Sequence, residues 1–177
     1  MKAIQVRQQG GPEVMVYEEV SINPPDPNYI QIKLEAIGVN FRDLYQRSGE
    51  YPMSLPYVPG TEGAGRVVEV GNNISGYTQG DRVAYSGVLG AYAEYANVPA
   101  GRVIKLPKTT SYSKAAAVMG QGSTAHYLAF SCYPLKEGDT CLIHASSGGL
   151  GLLLTQIAKR RGARVFGTVS TEEKKEA

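Results

Sequence analysis

Apolar and polar residues alternate at period two through much of the chain's first part. Ala3-Ile4-Gln5-Val6, Ile30-Gln31-Ile32-Lys33-Leu34-Glu35-Ala36, Arg66-Val67-Val68-Glu69-Val70 and Ala91-Tyr92-Ala93-Glu94-Tyr95-Ala96 each read as a half-buried strand, and Pro, Gly, Asn and Asp clusters separate them. This pattern predicts a twisted β-barrel or sandwich up to about Tyr112. One short helix interrupts it. Asn40 is its expected N-cap, Phe41, Leu44, Tyr45 and Ser48 share one face, and Gly49 suits the left-handed stop.

After Lys108 the text turns to Ala, Met, Leu and Gly. Ser113 is the expected N-cap of a helix over 114–119, Gly120-Gln121-Gly122 reads as a hinge, and a second helix is expected over 123–131. Thr140-Cys141-Leu142-Ile143-His144-Ala145 is the short apolar run of a buried parallel strand. A helix over 150–161, a stop at Gly162 and a strand over 164–169 complete a β-α-β unit. The closing residues 172–176 look like the first turn of another helix. The fold class is therefore α/β with a β-rich N-terminal part, divided into 1–112 and 113–177.

Composition narrows the function classes. Hydrophobic residues make up 42% and charged residues 19% of 177, which excludes a disordered chain. The longest weakly polar stretch, from Gly148 to Ala158, falls short of the ~18 residues a membrane helix needs. No apolar leader follows Met1, so a cytosolic (cytoplasmic) location is expected. A net charge of +2 makes no strong electrostatic case for nucleic acid, and two cysteines cannot build a disulfide framework.

The candidate chemistry lies between the two late strands. Ala145-Ser146-Ser147-Gly148-Gly149-Leu150-Gly151 has the order of a dinucleotide fingerprint, with Ala145 in the first glycine place. Gly148 stands where backbone approaches a pyrophosphate, and Gly151 where helix meets strand. The unpaired N–H groups of a helix's first turn bind phosphate without a charged side chain. The same string loosely imitates a nucleophile elbow, but that chemistry needs a histidine downstream, and the last one is His144. Dinucleotide folds that take NAD place an acid about 20 residues after the glycines. Here Val169-Ser170-Thr171 stands there instead, and Lys174 follows. A hydroxyl pair plus a cation suits the 2′-phosphate of NADP (NADPH) better than a bare ribose. Glu172 and Glu173 keep NAD open, as does a Lys174 that pairs with them.

Asn40-Phe41-Arg42-Asp43, Pro59-Gly60-Thr61-Glu62-Gly63-Ala64-Gly65, Gly80-Asp81-Arg82-Val83 and the 145–151 turn together resemble the medium-chain dehydrogenase/reductase superfamily. Residues 38–52 and Gln121-Gly122-Ser123-Thr124-Ala125-His126-Tyr127-Leu128 look like its zeta-crystallin-like quinone oxidoreductase branch. The resemblance implies a GroES-like twisted β-barrel followed by a truncated Rossmann β-α-β unit. It also implies hydride transfer from NADPH to a small-molecule quinone. Relatives with catalytic zinc hold it through Cys and His at the places of Asn40 and Thr61, yet residues 1–125 contain neither Cys nor His. Such a site needs about three protein ligands, so a zinc-free enzyme is expected. His126, Cys132, Cys141 and His144 are the remaining candidate cluster, although Cys141 and His144 would point to opposite strand faces.

Without a metal, neutral donors must orient the substrate carbonyl. The resemblance assigns that role to Asn40, Tyr45 and Tyr51, and places Tyr127 beside the nicotinamide; Ala145, Ser147, Gly148, Gly149, Leu150, Gly151, Ser170 and Lys174 would hold the rest of the cofactor. Plainer roles compete: Asn40 as a helix cap, Tyr45 as packing, His126 as a core ring. A complete doubly wound fold has about six strands, and this chain offers two. The expectation is thus an N-terminal portion of the enzyme, with weak NADPH binding and negligible turnover by itself unless a homodimer completes the sheet. An enoyl or alkenal reductase on the same fold is the alternative enzyme, and a non-catalytic binding protein the alternative class.

Overall fold

The computed structural model describes residues 1–176, which pack as two compact units, one over Met1–Met119 and one from Gly120 onward. The first unit is built on an antiparallel sheet of β3 (Tyr29–Ile37), β4 (Glu62–Val70), β5 (Arg82–Ser86), β6 (Tyr95–Pro99) and β7 (Val103–Lys105), in the order β6-β3-β4-β5-β7. Register shifts between β3 and β4, at Gln31/Ile32 and Leu34/Ala36, add twist and curl the sheet into a half-barrel. The inward positions Ile30, Ile32, Val67, Val83, Tyr85 and Val98 form its core. A small hairpin, β1 (Lys2–Val6) with β2 (Met15–Glu19), joins it through bridges from Ala3 to Ala93 and Val6 to Tyr57. Between β3 and β4 lies α1 (Phe41–Ser48), closed by Gly49 at φ +91° as expected.

One expectation about this unit needs correction. The alternation over 91–96 is only partly a strand, since β6 starts at Tyr95. Ala91 and Tyr92 instead donate backbone N–H bonds to the Gly60 and Pro59 carbonyls. Their alternation comes from Ala91 entering the core while Tyr92 reaches a buried acid. Arg82 of the Gly-Asp-Arg-Val string, given no role from sequence, fastens the segment after β7. It donates to the carbonyls of Pro107 (2.8 Å), Lys108 (2.9 Å) and Thr110 and to the Tyr112 hydroxyl, and its guanidinium lies over the Tyr112 ring. That fork of donors matches a run of carbonyls in a way a lysine could not.

The predicted break in the helix at Gly120-Gln121-Gly122 is not seen. One helix, α2 (Tyr112–Tyr127), runs through Gly120-Gln121-Gly122 and continues as a π-helical turn, Leu128–Cys132. Two glycines cost about 1 kcal/mol each in helix propensity, a preference that tertiary packing routinely overrides. The cap is Ser111 rather than Ser113: its carbonyl accepts from Ala115 and its Oγ from Lys114 (3.2 Å). The division between units falls inside this helix.

In the second unit, β8 (Thr140–Ile143) and β9 (Arg164–Gly167) pair in parallel, joined by α3 (Gly149–Arg160). Ala129, Leu135, Ala158 and Ala163 make a small core beneath the helix. Gly162, at φ +79°, turns the chain from α3 towards β9. Leu142 and Phe166, partners in the ladder, are 60% and 47% exposed. Residues 173–175 form a 3-10 turn.

Candidate functional site

Helix α1 is turned opposite to its polarity. Its buried residues are Asp43 (4% exposed) and Gln46, whereas Phe41 is 75% exposed and Leu44, Tyr45 and Tyr51 are also exposed. An amphipathic helix ordinarily buries its apolar stripe, whereas Tyr45 packs against Phe41 and Tyr51 at the surface. The reversal follows from the polar groups behind the helix. The Asp43 carboxylate accepts from the Asn40 backbone N–H (2.9 Å) and from the Tyr92 hydroxyl (2.9 Å). Asn40 Nδ2 donates to Glu62 Oε1 at 2.7 Å, and Glu62 is 2% exposed. Burial, then the Asp43 charge, pushes the Tyr92 phenol well above its ordinary range.

The expected capping role of Asn40 is realised, because Asn40 and Asp43 form a capping box. Tyr45 and Tyr51 come together, their ring centroids 5.3 Å apart at 56°, and the Tyr51 N–H donates to the Tyr45 carbonyl. Phe41 adds a third ring, 6.5 Å from Tyr45. This surface can take a flat apolar molecule.

In the second unit the glycine turn is built from backbone. Gly148 is the N-cap of α3, so Gly149, Leu150 and Gly151 supply the helix's first amides. Gly151 has no room for a side chain: a Cβ would meet the Ala145 carbonyl at 2.4 Å and Ser146 Cα at 2.6 Å. A Cβ on Gly149 would meet Gln121 Oε1 at 1.9 Å, whereas one on Gly148 would meet only the Ala145 carbonyl, at 3.2 Å. Ala145 is in the left-handed region (φ +52°), the only non-glycine residue among those described to be so. It occupies the place where the fingerprint has its first glycine, and it adopts the glycine's conformation. Ser146 closes the loop, its N–H donating to the Thr168 carbonyl at 3.0 Å.

Beyond β9, Lys174 Nζ donates to Ser170 Oγ at 3.0 Å. The glutamates take other partners, Glu172 with Lys175 and Glu173 with Thr171. The plainer reading, Lys174 paired with a glutamate, is therefore not what the structure shows. Ser147, Thr155, Lys159, Lys174 and Lys175 line a cleft of about 310 Å³. Tyr127 ends α2, half exposed, and its hydrogen bond to Cys132 holds the phenol above its usual range. His126 is exposed and stacked on Phe130 at 4.4 Å, so it is not a core ring. His144 Nδ1 lies 3.1 Å from Thr168 Oγ1, and no group of three or more His, Cys, Asp or Glu among the described residues could hold a metal ion.

Residues 26–108 match the alcohol dehydrogenase GroES-like domain. The quinone oxidoreductase of Pseudomonas aeruginosa is 44% identical over 175 residues, an alignment that takes in 98% of this chain and 54% of that protein. The crystal structure of Escherichia coli quinone oxidoreductase complexed with NADPH is 42% identical with a TM-score of 0.97, over 99% of this chain and 55% of that one. Over nearly its whole length the chain is thus similar to members of the medium-chain dehydrogenase/reductase superfamily. A 2-haloacrylate reductase from Burkholderia sp is also similar, 41% identical over 178 residues, covering 97% of this chain and 54% of that enzyme. The chain spans about half the length of the curated relatives it matches. No helix among the described residues is long and apolar enough to cross a membrane.

Sequence reasoning missed Glu62, Asp43 and Tyr92. The available signal was Asn40-x-x-Asp43 before an apolar helix, a capping-box spacing that fixes where the acid turns.

Proposed function

We propose that this chain serves an NADPH-dependent quinone reductase, in which NADPH passes a hydride to a quinone without zinc. The observation that carries the reading is the Ser170–Lys174 pair beyond β9, a hydroxyl and an ammonium 3.0 Å apart with the neighbouring glutamates engaged elsewhere. Such a pair offers a dianionic 2′-phosphate charge-assisted hydrogen bonds, which are about twice as strong as neutral ones. Ser147 and the amides of residues 149–151 suit the pyrophosphate, with Ala145 and Gly148 shaping the turn, and Tyr127 is assigned to the nicotinamide side. The bound cofactor would supply the hydride. Residues 1–112 would serve the substrate and 113–177 the cofactor.

On the substrate side, Tyr45, Tyr51 and Phe41 offer a quinone ring an aromatic surface. Asn40 and the two phenols would orient and polarise its carbonyl. The likeness to a 2-haloacrylate reductase favours a second reading, reduction of a carbon–carbon double bond conjugated to a carbonyl, which uses the same hydride donor and the same donors at the oxygen. The exposed Leu142 and Phe166 leave room for a homodimer contact, and a cytoplasmic location fits this chemistry.

The test is donor oxidation by the protein as its natural gene encodes it. NADPH and NADH are compared as donors, and duroquinone and 2-chloroacrylate as acceptors. Fastest turnover with NADPH and duroquinone supports the reading. Faster turnover with 2-chloroacrylate selects the second one, and a preference for NADH removes the role given to Lys174.

A further inference from the structure

Resting on the reading that Asn40 meets the substrate carbonyl, we propose that Glu62 and Asp43 are positioning residues that hold the Asn40 amide in one orientation. Three observations converge on residue 40. Its Nδ2 donates to Glu62 Oε1 at 2.7 Å, its backbone N–H donates to Asp43 Oδ2 at 2.9 Å, and Tyr92 donates to that same Asp43 oxygen at 2.9 Å. Both acids are buried, at 2% and 4% exposure. The place of the Glu62 carboxylate is itself prepared, because a Cβ on Gly38 would lie 2.1 Å from Oε1.

The chemistry decides which way the amide faces. The terminal torsion of asparagine is broad and roughly two-fold, so an unheld amide exchanges its oxygen and nitrogen ends readily. An ionised carboxylate only accepts hydrogen bonds. With Glu62 Oε1 accepting, the end of Asn40 that meets it is its NH2, which sends the amide oxygen towards the start of α1, where the capping box receives it. A carbonyl substrate needs a donor, and an amide turned the other way would set oxygen against oxygen. Asp43 fixes the backbone of residue 40 while Glu62 fixes its side chain, so the donor is in place before the ligand arrives. Tyr92, buried against Asp43, holds that acid from behind.

Glu62→Gln keeps the shape but lets position 62 donate as well as accept, so it no longer selects one amide orientation. In side-chain amide NMR spectra of the 177-residue chain, this variant should move the Asn40 NH2 resonances and increase their hydrogen exchange at least tenfold. Glu62→Asp, which keeps the charge one methylene further back, should give an intermediate result and guards against a glutamine variant that fails to fold. In the protein as its natural gene encodes it, Glu62→Gln should lower kcat for duroquinone about tenfold, short of the roughly hundredfold that a full 1 Å misplacement can cost. The KM for NADPH should not change. The Asn40→Ala, Glu62→Gln double variant should be no slower than Asn40→Ala alone. Unmoved Asn40 resonances in Glu62→Gln, or losses that multiply in the double variant, overturn the proposal. Resonances that move in Glu62→Gln, together with a wild-type protein that reduces no quinone, leave the positioning intact and remove the quinone reading instead.

Discussion

Helices α1 and α3 each carry a candidate binding surface, and they do so by opposite means. In α3 the backbone makes the surface, with Gly151 and Ala158 buried, the first-turn amides supplied by residues 149–151 and a tight loop at Ala145. In α1 the side chains make it: two polar residues are buried so that Phe41, Tyr45 and Tyr51 are exposed. A backbone surface depends on small residues at fixed places and tolerates little change there. A side-chain surface depends on a few buried polar bonds that choose which face of the helix turns outward.

The sharpest way to break the α3 half of this comparison is Gly151→Ala. Its methyl would need space held by the Ala145 carbonyl and Ser146 Cα, at 2.4 and 2.6 Å. Overpacking of this kind costs typically 1–3 kcal/mol, and a loss of about 3 kcal/mol is expected here. Hydrogen exchange should show the loss in β8, α3 and β9, with β3 and β4 as the internal control.

For α1, Tyr92→Phe removes one of the two donors identified on the buried Asp43 oxygen. Leaving a buried charged acceptor short of a donor costs about 1–3 kcal/mol, and about 2 kcal/mol should be lost in urea denaturation. Phe41 should look quite different. At 75% exposure, Phe41→Ser should change stability by no more than about 0.5 kcal/mol. The same change should weaken duroquinone binding in a fluorescence titration, which separates a binding surface from a packing surface. Ala145→Gly should stabilise the chain slightly. Relief of the left-handed strain, about 1–2 kcal/mol, is largely offset by the 0.5–1 kcal/mol entropic cost of glycine, leaving a gain of about 0.5 kcal/mol by thermal denaturation.

The two halves also differed in how far the sequence revealed them. The strand, Gly148–Gly151 turn and helix order were readable because backbone constraints demand particular residues at particular places. The start and stop of α1 were readable too, from Asn40 and Gly49. Its orientation was not, because periodicity finds an apolar face without telling whether the core or a ligand covers it. That depended on Tyr92 and Glu62, distant in sequence, arriving behind the helix. The glycines at 120 and 122 do not break α2, although the division between the two units falls beside them.

The central claim, that Ser170 and Lys174 recognise the 2′-phosphate, is tested most directly by titrating NADPH and NADH into the protein as its natural gene encodes it and into its Lys174→Ala variant. The ammonium donates to Ser170 at 3.0 Å and would share a phosphate with it. Its loss should weaken NADPH by about 1.5–3 kcal/mol, the range for hydrogen bonds to charged groups, and leave NADH nearly unchanged. Equal losses for both dinucleotides would contradict the assignment.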